Sequence, residues 1–123
     1  MATIDITSQS FEETIEKNDI VIVDFWAEWC GPCKSFSPIY EDVSEKDENE
    51  GIVFGKIDTE AEQELAGHFQ IRSIPTLMIF REQVVLFSQP GMLNAQQLQE
   101  VIGKVKEIDM KKVHEEIASQ EKS

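Results

Sequence analysis

Cysteine is scarce in this chain: Cys30 and Cys33 are its 2 cysteines in 123 residues. That excludes a fold stapled by several disulfides. A bridge across two intervening residues also closes too small a loop to stabilise much by restraining the unfolded chain. Histidine is equally sparse, with His68 and His114 alone. Neither stands at ligand spacing from the cysteines, so no zinc site or other metal is expected. Basic residues number 11 against 24 acidic ones, giving a net charge of −13. A surface of that sign repels nucleic-acid phosphates and anionic lipid, so no nucleic acid and no membrane are expected as partners. No apolar run reaches the ~18–20 residues of a membrane span. The opening Met1-Ala2-Thr3-Ile4-Asp5 has no basic segment followed by an apolar one, so no secretory leader is expected. Repeats, low-complexity blocks and long linkers are also missing.

What is present is a chain with 41% hydrophobic and 28% charged residues, enough for one core without staples. Ile4-Asp5-Ile6 alternates like a short edge strand. Thr7 and Ser8 cap a helix to about Lys17, with Phe11 and Ile15 inward. Ile20-Val21-Ile22-Val23-Asp24-Phe25-Trp26 is β-branched and aromatic with almost no alternation, which suits a central strand covered on both faces. The spacing of Phe36, Ile39, Tyr40 and Val43 predicts a helix over 34–48, kinked at Pro38. A strand over 52–57 completes a βαβ unit, so the two strands should be parallel. A helix over 60–69 and a loop ending at Pro75 follow, then strands over 76–80 and 84–87. These strands are close enough for a hairpin, but the turn Arg81-Glu82-Gln83 lacks glycine and asparagine. Asn94 with Gln97 forms a capping box for a last helix bearing Leu98, Val101, Ile102 and Val105. Beyond Ile108 only Met110, Val113 and Ile117 are apolar, and that helix is expected to extend and fray. The division expected is a domain over 1–109 and a C-terminal helix extension or tail over 110–123.

Both cysteines lie in Trp29-Cys30-Gly31-Pro32-Cys33, between the most apolar strand and a helix. A thiolate is the species that attacks a disulfide. Cys30 at the helix cap would gain about 0.3–1 kcal/mol of stabilisation for its anion from the helix dipole. Pro32 suits the first turn because its missing donor would be orphaned there anyway, and Gly31 leaves room for another chain. Cys30 is thus the nucleophile and Cys33, one turn inward, the resolving thiol. Cys33 then needs a proton acceptor. Asp24, inside a buried strand, costs several kcal/mol as an unpaired carboxylate, which marks it as a proton relay. Lys56, on the next strand, is its expected charge partner.

The longer string Val23-Asp24-Phe25-Trp26-Ala27-Glu28-Trp29-Cys30-Gly31-Pro32-Cys33-Lys34 resembles the active-site signature of the bacterial-type thioredoxin family. The likeness continues through Pro38, Lys56-Ile57-Asp58, Ile71-Arg72-Ser73-Ile74-Pro75-Thr76 and Gly91, and spans about 4–108. It implies an α/β thioredoxin fold, a five-stranded mixed β-sheet flanked by four helices. It implies a cis peptide at Ile74-Pro75 facing the cysteines. It further implies a shallow substrate-binding surface made by Trp29, Gly31, Pro32, Ser73, Ile74, Pro75, Gly91 and Met92. The implied activity is reduction of disulfides in client proteins, with electrons from a flavin-dependent thioredoxin reductase. No nicotinamide or flavin fingerprint exists in the chain itself, so no bound cofactor is expected. A monomer working in the cytoplasm, where thiols are kept reduced, completes the expectation. The sequence departs from the family in its hairpin turn, in Pro90 before Gly91, and in its tail.

Two rival functions fit parts of this pattern. A disulfide oxidase or isomerase shares the spacing, but that branch usually carries histidine where Pro32 stands. A non-catalytic binding subunit would use the same fold without the thiols, and nothing here disables them.

Overall fold

The structure is a computed structural model that describes residues 2–121. Five strands, β1 (Thr3–Asp5), β2 (Ile20–Trp26), β3 (Val53–Asp58), β4 (Thr76–Arg81) and β5 (Val84–Pro90), form one sheet. Its order is β1-β3-β2-β4-β5. The β1–β3 and β3–β2 pairs are parallel, while β2–β4 and β4–β5 are antiparallel. The sheet is therefore mixed, with the apolar β2 at its centre. Every residue of β2 is buried except the half-buried Trp26.

Helices cover both faces of the sheet. Ile20 and Ile22 pack with Phe36, Tyr40 and Val43 of α2 (Gly31–Ser44), and with Leu98, Ile102 and Val105 of α4 (Ala95–Glu107). Val21, Val23 and Phe25 point the other way, toward Phe11 and Ile15 of α1 (Phe11–Lys17) and Leu65 of α3 (Gln63–His68). Alternation along β2 thus sends Asp24 to the α2 side. This follows from the two-residue period of a strand.

Some boundaries differ from the sequence expectation. α1 is preceded by Ser10, not capped by Thr7 or Ser8. Thr7 and Ser10 bond each other, and Ser8 gives both its N–H and its hydroxyl to Glu62. α2 ends at Ser44 and a short 3-10 turn covers Asp47–Asn49. α2 runs through Pro38 as one helix. α3 is shorter than predicted, starting only at Gln63. β5 is longer than predicted because a bulge opposite Ile79 and Phe80 absorbs Leu86, after which pairing continues to Pro90.

The largest difference is at the C-terminal end. α4 stops at Glu107, Ile108 is extended, and a separate fifth helix, α5 (Met110–Glu121), begins. Asp109 accepts the N–H groups of Lys111 and Lys112 at 3.1 and 3.4 Å, as a capping carboxylate does. The Arg81 guanidinium collects the carbonyls of Val105, Lys106 and Ile108 at the end of α4. His114 meets the Glu82 carboxylate at 2.8 Å. α5 is therefore a new element docked at the hairpin end of the sheet, not a continuation of α4.

Candidate active site

The site lies where β2 runs into α2. Cys30 has extended backbone angles (φ −86, ψ 111) and is the N-cap of the helix. Its sulfur accepts the N–H of Cys33 at 3.2 Å, taking the place of a serine or aspartate cap. The two cysteines are closed as a disulfide with Cα atoms 5.3 Å apart. Both are 3% exposed, in a small cluster with Ala27, flanked by Trp26 and Ile74. As whole residues the two are equally buried, so burial does not distinguish them. The cap does, because among the described residues the helix N-terminus aims a donor at the Cys30 sulfur.

The loop before β4 comes back over this cluster. The Ile74–Pro75 peptide is cis, and the Ile74 carbonyl oxygen lies 3.8 Å from the Cys30 sulfur. Thr76 closes the loop by donating its hydroxyl to the Ser73 carbonyl at 2.5 Å. Gly91, at φ +97, donates its N–H to the Pro75 carbonyl at 2.8 Å and so joins the end of β5 to the same surface. A positive φ of that size suits glycine, which has no Cβ to clash. Trp29 is 69% exposed and its indole N–H is held by the Glu60 carboxylate. Gly31, Pro32, Ser73 and Met92 are exposed, Ile74 is half-buried and Pro75 buried. The structure thus joins Cys30, Ile74, Pro75 and Gly91 by direct contacts.

Asp24 is fully buried, and neither carboxylate oxygen has a hydrogen-bond partner among the described residues. Desolvation raises its pKa from 3.8 to about 7, against the lowering pull of the Lys56 charge. Lys56 is the register partner of Asp24 across the β2–β3 pair. Its ammonium nevertheless donates to the Ser37 hydroxyl at 3.1 Å and lies 5.0 Å from the Trp26 ring centre. Lys56 is thus a charge partner through its field and not through a direct bond. Tyr40 is buried beneath, its hydroxyl shared between the carbonyls of Ile22 and Gly55. Burial first, and then the Asp24 charge, push its phenol well above the usual range.

Sequence reasoning missed Ser37, Tyr40 and Glu60 as parts of this region. The first two carry a signal, since they follow Cys33 by four and seven residues and so share its helix face. Glu60 carries none, because it reaches Trp29 from a different part of the chain. The candidate zinc ligands are held elsewhere: His68 meets the Phe69 ring edge to face, and His114 pairs with Glu82.

The family model for Thioredoxin matches residues 2–104. The chain belongs to the thioredoxin family. It is 51% identical over 120 residues to "Putative thioredoxin 2" of Streptomyces coelicolor, covering 98% of this chain and 88% of that protein. A "Bifunctional thioredoxin reductase/thioredoxin" of Mycobacterium leprae is 40% identical over 80 residues, which are 64% of this chain and 17% of that protein. Among solved structures, a mutant thioredoxin from Halobacterium salinarum superposes with a TM-score of 0.78 at 28% identity. That superposition covers 87% of this chain and 93% of the other. As in thioredoxins generally, the chemistry is that of a thiol–disulfide oxidoreductase acting as a protein-disulfide reductase. No helix among the described residues is long and apolar enough to cross a membrane.

Proposed function

We propose that Cys30 attacks and Cys33 resolves, with Asp24 taking the proton. The observation that carries this division is the Cys33 N–H aimed at the Cys30 sulfur at 3.2 Å. Hydrogen bonds to a charged group contribute about 1.5–3 kcal/mol, so the reduced helix start favours the thiolate at Cys30. That thiolate attacks one sulfur of a client disulfide, and the other client sulfur leaves as a thiolate. Cys33 gives its proton to the Asp24 carboxylate and attacks the Cys30 sulfur. The client's second thiolate departs and the Cys30–Cys33 disulfide closes, so two electrons have passed to the client. Lys56 keeps part of the Asp24 population ionised near neutral pH. Trp29, Gly31, Pro32, Ser73, Ile74, Pro75, Gly91 and Met92 form the surface on which an extended client segment lies.

A thioredoxin reductase returns the two electrons in this reading, which the fused Mycobacterium leprae protein supports by its name. A reducing compartment, the cytoplasm, is the matching location, because a pair kept for exchange must be reducible there. We assign residues 1–109 to the catalytic domain and 110–123 to an accessory extension.

The test is thiol trapping. Cys33→Ser incubated with a disulfide-bearing protein such as insulin should accumulate a mixed disulfide through Cys30, whereas Cys30→Ser should accumulate none. Trapping through Cys33 in the Cys30→Ser protein would reverse the assignment. Coupled turnover with NADPH and a thioredoxin reductase should be lost in both variants.

A further inference from the structure

Asp24 is the group whose surroundings are least settled by the mechanism, and Lys56 is the cation that acts on it. Lys56 makes no ion pair within 4 Å among the described residues. Its long side chain instead lines a shallow cleft with Trp26, and the cleft also carries the carboxylates Asp5, Asp58 and Glu62. Asp5 is the register partner of Lys56 on the outer side of the sheet. Water and three carboxylates therefore draw the ammonium outward, and flexible lysines follow such a pull readily. Among the described residues one hydrogen bond opposes it, the one to Ser37 on α2 at 3.1 Å, beside the Trp26 ring at 5.0 Å.

We propose that Ser37 is a positioning residue that anchors the Lys56 ammonium on the Asp24 side of the sheet. Ser37 does so from the helix that carries Cys33, one turn further on. The same helix contributes Tyr40, which fixes the Ile22 and Gly55 carbonyls just below the Asp24–Lys56 pair. The charged and titratable groups coupled to Asp24 are Lys56 from β3 and Tyr40 from α2, and the proposed exchange adds Cys33 once it is reduced. β4 sets the apolar Leu77 beside it. Without the hydroxyl the ammonium moves toward Asp5, Asp58, Glu62 and solvent, and the carboxylate loses its compensating field. Its proton is then held to higher pH.

The functional consequence rests on the reading of Asp24 as proton acceptor, but the anchoring is measurable without it. The carboxyl carbon of Asp24 is followed by NMR against pH in the wild-type chain, Ser37→Ala, Ser37→Thr, Lys56→Met and Ser37→Ala/Lys56→Met. Ser37→Ala should move the midpoint upward by about half a pH unit, the scale of displacing one charge across a partly wet boundary. Lys56→Met should move it at least as far, the double variant no further than Lys56→Met, and Ser37→Thr should restore the wild-type midpoint. An unchanged or lowered midpoint in Ser37→Ala overturns the anchoring, as does a double variant that adds the two shifts. The pH profile of insulin reduction should follow the same order. If the midpoint moves while the profile stays fixed, the anchoring stands and the role given to Asp24 fails instead.

Discussion

Asp24 shows how a single residue can cost the fold energy while serving its chemistry. Burial, with no hydrogen-bond partner among the described residues, raises its pKa from 3.8 to about 7. Between those two values the native state holds more protons than the unfolded chain, so stability falls as pH rises through that window. Below it both states are protonated and the cost vanishes; above it the cost is complete. The shift corresponds to a cost on the order of 4 kcal/mol. Asp24→Asn abolishes the ionisation, so its unfolding free energy at pH 8 should exceed the wild type by about 2–4 kcal/mol. At pH 3, below the window, the two proteins should unfold alike. Urea titrations at both pH values measure this, and an equal gain at both would sink the explanation. The sequence already marked Asp24, because a carboxylate in an unbroken apolar strand is anomalous wherever that strand folds. Ser37 stayed hidden because a half-buried serine on a helix is ordinary until its partner's position is known.

Among the elements, strands and helices that follow apolar periodicity were legible, and those shaped by distant contacts were not. β2 declared itself by composition. The β4–β5 turn did not, since Glu82 and Gln83 both have positive φ (50 and 69) without being glycine. That is the backbone of a two-residue type I′ hairpin, which favours asparagine and glycine. Distant partners hold it: the Glu82 N–H donates to the Asp19 carbonyl at 2.8 Å and its carboxylate meets His114. Gln83 has no such role in the turn, so Gln83→Gly should relieve strain and stabilise by about 0.5–1 kcal/mol. Thermal denaturation reads this, and a lower midpoint would show that the turn is not strained. Gly55 on β3 is the opposite case. A Cβ built there overlaps the side chain of Ile6, which is 2% exposed. Ile6 fills the place where a β3 side chain would stand. Gly55→Ala should therefore destabilise by about 1–3 kcal/mol, the usual cost of overpacking a core. A wild-type denaturation midpoint would mean that Ile6 relocates freely.

On the scale of the whole molecule, the antiparallel β2–β4 pair separates two poles. Thr76 and Phe25 are opposite each other near the cysteines, while Arg81 is opposite Ile20 at the far end. At about 3.3 Å per residue, the strands put roughly 17–20 Å between them. Everything proposed for exchange sits at the first pole, and α5 docks at the second through the His114–Glu82 pair and the buried Met110. Residues 110–123 carry the lysines Lys111, Lys112 and Lys122 against the glutamates Glu115, Glu116 and Glu121, so removing them leaves the net charge at −13. Any long-range attraction or repulsion of clients is then nearly unchanged, and only local packing is lost. Burial of one methionine contributes about 1.5–3 kcal/mol, and an exposed His–Glu pair at most about 1. Release of the helix from order offsets part of this. A chain ending at Asp109 should therefore be less stable by about 1–2 kcal/mol and unfold about 3–8 °C lower. Its rate of insulin reduction, measured well below the unfolding midpoint, should equal that of the full chain. A drop in that rate at unchanged stability would place α5 in client or reductase contact and end its reading as an extension that supports only the far pole.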